Sequence, residues 1–222
     1  MTTRQRAAVS WSGGKDSLAA LAAVRDRFDV VASLTMFDET GSRSRSHGLR
    51  PALIASQAER LGLRSVTACC SWATYDAAFT AALRTLAADG VTHVIFGDLL
   101  FQEHRAWAEV RAAEAGMTAV EPLWGIPTAT LFDAFIDSGA TALMVTVREP
   151  WLDESWLGLA LSADMKPRFA ERGVDPCGER GEYHTAVIDS PLFSRAISVA
   201  LGERVRRGEC LAVDLVPDAE RG

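Results

Sequence analysis

Short apolar runs alternate along the chain with stretches whose apolar residues lie three and four apart. The run Ala7, Ala8, Val9 has the length of a buried strand, and positions 18, 21, 22 and 25 after it share one helical face. Residues 30–37 form a second apolar run, closed on either side by Asp29 and Asp38. Pro51 suits the first position of a helix, and Ala52, Ile54, Ala55, Ala58 and Leu61 continue at helical spacing up to Gly62. Residues 65–69 predict a third strand. A helix capped by Thr74 then carries Ala78, Phe79, Ala82, Leu83 and Leu86 as far as Gly90. Residues 91–96 predict a fourth strand, 102–115 a helix and 118–120 a short strand. Regular alternation with no hairpin signal predicts an α/β unit, a parallel sheet with crossover helices.

From about Gly125 the pattern changes. Residues 128–136 predict a helix, 140–147 a strand, and 152–161 an irregular or helical stretch. Beyond Asp175 the chain turns strand-rich at 185–188, 196–200 and 211–216, with a turn region from Gly202 to Gly208. Two units are expected: residues 1–125, and a smaller α+β unit over 126–222.

The densest local chemistry lies at the end of the first strand, in Ser12, Gly13, Gly14, Lys15, Asp16 and Ser17. Glycine lets a ligand approach the backbone, and the first N–H groups of a helix have no partner inside it, so this turn attracts anions, phosphate above all. Lys15 is expected to offer a mobile positive charge, Ser17 a hydroxyl, and Asp16 a carboxylate for Mg²⁺ or for the helix N-terminus. The spacing differs from that of the Walker P-loop. An ordinary glycine turn accounts for the same residues singly; six positions in a strand, turn and helix context favour the phosphate site.

Ligands of open parallel sheets bind at the carboxyl ends of the strands, where strand order reverses. Gly97 and Asp98 close the fourth strand and so can meet the loop at 12–17, with Asp98 completing a Mg²⁺ site beside Asp16. Ser10, at the end of the first strand, falls at the same place. His104 or Arg105 reaching phosphate is a lesser reading of a helix whose outer face is polar. Residues 38–50 predict a long polar loop, with Arg43, Arg45, Arg50 and His47. A second cluster runs from Asp175 to Thr185 and packs Cys177, Glu179, Glu182, Tyr183 and His184 around Gly178 and Gly181. Carboxylates there can orient an ammonium or act as a base, and His184 can carry protons; Cys177 reads as packed more than as a nucleophile.

Composition narrows the setting. Across 222 residues, 48% hydrophobic and 23% charged is the profile of an ordinary globular chain. A net charge of −6 argues against a nucleic-acid partner. The four cysteines, Cys69, Cys70, Cys177 and Cys210, include no C-x-x-C spacing, which points away from a zinc ribbon or a disulfide framework. With no apolar run near ~18 residues and no signal-like start, no membrane contact and a cytoplasmic location are expected.

The Ser-Gly-Gly-x-Asp-Ser run resembles that of the PP-loop ATP pyrophosphatases of the adenine nucleotide alpha hydrolase superfamily. Phe96-Gly97-Asp98-Leu99, His104-Arg105-x-Trp107, Glu121-Pro122-Leu123-Trp124, Leu157-Gly158, the 175–185 cluster and Asp189-Ser190-Pro191-Leu192-Phe193 extend the likeness to the diphthine–ammonia ligase family, from Ser10 to about Phe193. That resemblance implies a Rossmann-like, HUP-type domain followed by a C-terminal substrate domain. It also implies a ligase that adenylates a carboxylate with ATP and lets ammonia or an amine displace AMP. Ser10, Ser12, Gly13, Gly14, Lys15, Asp16, Ser17, Gly97 and Asp98 would bind ATP, Asp16 and Asp98 would hold Mg²⁺, and Glu179, Glu182 and His184 would face the acyl substrate or ammonia. Lys15→Ala is expected to abolish turnover with the fold intact. Arg180 stands where the ligases often have glycine and His184 where a glutamate is usual, a form nearer to the family's bacterial relatives. The expected partners are a small or protein-bound carboxylate and an amine; a homodimer is possible. An RNA-thiolating PP-loop enzyme and a non-catalytic nucleotide sensor remain as alternatives.

Overall fold

The computed structural model describes residues 4–218. The first strand, β1 (Gln5–Ser10), is buried on both faces: Ala7 and Val9 point into one core and Ala8 into another. Such two-sided burial is the mark of a central parallel strand. The chain continues through α1 (Lys15–Val24), β2 (Phe28–Phe37), α2 (Pro51–Leu61), β3 (Arg64–Cys69), α3 (Tyr75–Ala88), β4 (His93–Ile95), α4 (Gln102–Glu114) and β5 (Thr118–Val120). These five strands are parallel throughout, in the order β3-β2-β1-β4-β5. Sequential strands run outward from β1 on one side and resume at β4 on the other. The crevice between the carboxyl ends of β1 and β4 is therefore the switch point of a Rossmann-like sheet.

A second, antiparallel sheet of order β7-β6-β9-β8 follows. Its members are β6 (Thr141–Arg148), β7 (Tyr183–Asp189), β8 (Val199–Arg207) and β9 (Cys210–Pro217), with α5 (Thr128–Asp137) before β6 and α6 (Met165–Arg172) before β7. One apolar core joins the two sheets: Leu18 and Leu21 of α1 and Ile54 of α2 share it with Val145 of β6, Val187 of β7 and Leu215 of β9. The opposite face of the parallel sheet packs Phe79, Leu83 and Leu86 of α3 and Ala108 and Ala112 of α4 onto Leu34, Val94 and Phe96. Among the described residues no helix is long and apolar enough to cross a membrane.

Several expectations change. Residues 152–161 are irregular around one 3-10 turn, Glu154–Trp156, as expected, but beyond it Met144 N–H donates to Leu159 O and Gly158 N–H to Met144 O, so the stretch also bonds to β6. Helix α6 was not anticipated, because only Met165 and Phe169 bury an i, i+4 pair. The region from Gly202 to Gly208 is mostly strand, not turn: β8 reaches Arg207 as a charged edge strand, whose polar residues guard an open ladder and hide its period. Thr74 precedes α3, but its side chain bonds Ser71 and does not cap the helix.

Candidate active site

The loop from Ser12 to Ser17 leaves β1 at the switch point and enters α1. Ser12 Oγ accepts from Gly14 N–H at 3.2 Å, and Ser17 Oγ donates to Gly14 O at 2.9 Å, which closes the turn on itself. Gly13 has φ +84°, in the left-handed region that favours glycine, and a Cβ there would lie 2.6 Å from Leu49 Cδ1 and 2.8 Å from Gln57 Oε1. A Cβ on Gly14 would meet His47 Cε1 at 2.3 Å. Both glycines therefore make room for protein, not for a ligand, a correction to the reading of the turn. The side of the loop that faces the cleft is formed by Ser12, Lys15, Asp16 and Ser17.

Lys15 is also not a mobile cation. Only 3% of it is exposed; its ammonium donates to Asp16 Oδ2 at 2.8 Å and to the carbonyl of Cys177, and stands 5.2 Å above the Tyr183 ring. Burial works against the charge, but the Asp16 carboxylate, with Tyr183 and Cys177 beside the amine, outweighs it and holds the amine above its ordinary value. The amides of Asp16 and Ser17 lie in the first helical turn, where the helix supplies no acceptor.

These residues line a cleft of about 670 Å³, within the range of small-molecule sites. Ser10, Gly97 and Asp98 stand on its floor with the loop. Gly97 is glycine because a Cβ would sit 2.9 Å from the carbonyl carbon of Asp16, so β4 can meet the start of α1 closely. Burial raises the Asp98 carboxyl; His104 opposes the shift, its Nδ1 3.4 Å from Asp98 Oδ1, and the charge of Asp16 adds to it. His104 thus faces Asp98 at the cleft. Trp72 and Tyr75 stack at the rim, and Trp72 is 69% exposed.

The 175–185 cluster forms the facing wall. Glu179 lines the cleft, and burial, joined by the charges of Asp16, Asp175 and Asp98 against that of Lys15, pushes its carboxyl up to about 7. His184 lines the cleft too, and burial, with His47 and Lys15 nearby, lowers its imidazole to about 3. Glu182 is different: it is 0% exposed and accepts from the amides of Asp175 and Arg180, both at 2.9 Å. It shapes the turn from within and does not face the cleft, which corrects the expectation that it meets substrate. Burial pushes the Cys177 thiol up to about 12, in keeping with a packed cysteine.

A family model described as the diphthamide synthase N-terminal domain matches residues 5–119, more than half of the chain. The chain belongs to the diphthamide synthase family. The model of the family's C-terminal domain matches residues 127–212. Diphthine–ammonia ligases are similar to it: that of Schizosaccharomyces pombe is 30% identical over 46% of this chain and 17% of its own length, that of Danio rerio 33% over 53% and 46%, and that of Homo sapiens 31% over 52% and 45%. The chain thus covers less than half of each of these relatives. A solved chain described as a predicted subunit of tRNA methyltransferase from Methanocaldococcus jannaschii is 16% identical, covering 84% of this chain and 98% of that one at a TM-score of 0.43.

In this member of the diphthamide synthase family, the two walls are held together by residues whose partners the sequence did not show. Thr185 Oγ1 accepts from Lys15 N–H at 3.1 Å and Val187 N–H donates to Gly13 O at 2.9 Å, so β7 is bonded to the Ser12–Ser17 loop and the start of α1. Gln57 on α2 and His47 in the 38–50 segment reinforce that seam. That segment is a strap: Arg43 and Arg50 both bind Asp214 on β9, at 2.5 and 2.6 Å. The arginines of that loop were a signal, but Asp214 as their partner was not visible in the sequence.

Proposed function

We propose that the chain is an ATP-dependent, AMP- and pyrophosphate-forming ligase that joins a carboxylate to ammonia or an amine; its relatives are named as ligases of diphthine and ammonia. The observation that carries this reading is the cleft, which places an anion-seeking helix start and Glu179, a carboxyl poised near neutrality, on facing walls. ATP would supply the leaving group that activates the carboxylate, and Mg²⁺ would balance the charge of the pyrophosphate.

The residues fit those groups. Ser12, Ser17 and the first amides of α1 would hold phosphate oxygens, with Ser10 and Gly97 beneath them. Asp16 and Asp98 would hold Mg²⁺; the charge of Asp16 contributes to raising the carboxyl of Asp98, a conflict that a dication relieves. Among the described residues no group of three or more histidines, cysteines or carboxylates could hold a metal, so phosphate and water would complete the shell, as Mg²⁺ prefers. Lys15 would act from below, fixing Asp16 and the Cys177 carbonyl. Glu179 would take the proton that ammonium must lose before it attacks, and His184 would border the acyl group. On this reading residues 1–125 bind nucleotide and 126–222 supply the acyl side.

The deciding test is which phosphate bond breaks. The protein is incubated with α-labelled ATP, Mg²⁺, ammonium and either diphthine or a metabolite extract, and AMP is separated from ADP. AMP with pyrophosphate is expected, and ADP overturns the proposal. Bound nucleotide with no turnover for any acyl source would assign the chain to a sensor instead.

A further inference from the structure

One side chain that lines the cleft lies against both of its walls. His47, in the strap between β2 and α2, sets Nδ1 2.7 Å from the carbonyl oxygen of Thr185 on β7 and stacks its ring on His184, with centroids 4.7 Å apart and planes at 22°. A carbonyl only accepts, so the ring carries its proton on Nδ1. The same ring fills the space beside Gly14. Gly14 has φ −97° and ψ 179°, extended backbone open to any residue, so its own conformation does not exclude a side chain; the imidazole does, with the Thr185 carbonyl oxygen next at 3.1 Å from where a Cβ would stand. Thr185 is held from both sides, its carbonyl by the strap and its hydroxyl by the amide of Lys15. The strap is anchored at Asp214 by Arg43 and Arg50.

We propose that His47 is a positioning residue that sets the spacing between the two halves of the cleft. It is wedged between Gly14 of the phosphate-type loop and His184 of the acyl wall, and it acts through them without touching a reacting atom. This inference rests on the ligase reading for its effect on turnover. Its effect on nucleotide binding requires only that the loop binds nucleotide.

The test is a double-substitution cycle at positions 14 and 47, read by calorimetric binding of α,β-methylene-ATP, by thermal unfolding and by AMP formation. Gly14→Ala drives a methyl into the ring and is expected to weaken nucleotide binding about tenfold. His47→Ala is expected to leave binding within about threefold but to lower kcat about tenfold or more with KM for ATP unchanged, because the walls lose their register. In the double variant the methyl no longer meets a ring and only the Thr185 carbonyl oxygen, at 3.1 Å, stays close, so most of the binding recovers while kcat does not. His47→Asn, whose amide can still donate to Thr185 O, is expected to regain part of kcat. Additive losses of binding in the double variant, or an unchanged kcat in His47→Ala, would overturn the proposal. If the native protein binds the analogue yet forms no AMP from ATP, the ligase reading fails by itself, and the coupling in binding and melting temperature still decides the placement of His47.

Discussion

The side-chain amide of Gln57 donates to the carbonyl of Gly13 at 3.0 Å. The same Nε2 donates to Val187 O at 2.8 Å, and Oε1 accepts from Trp11 Nε1 at 2.8 Å. A side chain with 0% exposure thus joins the end of β1, the loop after it and β7 of the second sheet. Gln57→Leu keeps the volume, leaves the Trp11 indole N–H without its acceptor and takes a donor from the carbonyls of Gly13 and Val187, of which Gly13 O still accepts from Val187 N–H, at a cost of about 1–3 kcal/mol. Urea unfolding followed by tryptophan fluorescence measures it; a loss under about 0.5 kcal/mol would mean that the seam is held elsewhere.

Lys15→Ala is expected to abolish AMP formation and, against the expectation from sequence, to destabilise the fold. The ammonium neutralises Asp16 and satisfies the Cys177 carbonyl from a buried position, so its removal strands both. The loss should be about 3 kcal/mol, at the low end for breaking a buried pair because Asp16 keeps some access to water. Chemical denaturation alongside the AMP assay separates the effects, and unchanged stability would show that the ammonium does not hold the 175–185 turn.

The Ser12–Ser17 turn was legible as a turn because its determinants are local: a strand end, two glycines and a helix start within a few residues. The parallel sheet was legible because strands buried on both faces read as short apolar runs. Edge strand β8 was not, since Glu203, Arg204 and Arg206 interrupt any apolar alternation. Glu182 was misplaced because a turn-shaping carboxylate and a substrate-facing one are the same residue type, and only burial separates them. His47 and Gln57 were beyond reach for another reason: their partners at Thr185 and Val187 lie 138 and 130 residues away. The glycines were found correctly and explained wrongly, because the atoms they accommodate belong to that distant packing.

Glu179 sets a pH dependence. Its carboxyl titrates near 7, so the ionised form gains population as pH rises through neutrality. If Glu179 accepts the proton from ammonium, kcat/KM for AMP formation climbs through about pH 7 and levels off above it. Glu179→Gln should remove that limb and lower the plateau about 10²-fold or more. A limb that persists in Glu179→Gln would assign the titration to another group.

The stacked imidazoles predict a separate effect on stability. Burial holds His47 near 4 and, joined by His47 and Lys15, holds His184 near 3, against the ordinary 6.5. Between pH 6.5 and 4 the unfolded chain therefore binds protons that the folded chain refuses, so stability falls on acidification, by at most about 1.4 kcal/mol per pH unit for each histidine. Glu179 works in the opposite sense over much of this range: its raised carboxyl keeps a proton that the unfolded chain releases, and it costs stability as pH rises toward 7. Asp214 does not interfere. Burial raises its carboxyl, but hydrogen bonds from Arg43 and Arg50 outweigh that and hold it near 2, so its contribution disappears only below about pH 4. Burial also raises the carboxyls of Asp98 and Glu121, which act in the sense of Glu179, so His47 is isolated by difference: urea midpoints at pH 7, 6, 5 and 4 are taken in Glu179→Gln with and without His47→Asn, and the series of differences is expected to shrink steadily on acidification. A flat series of differences would mean that the folded chain does not hold the His47 imidazole neutral.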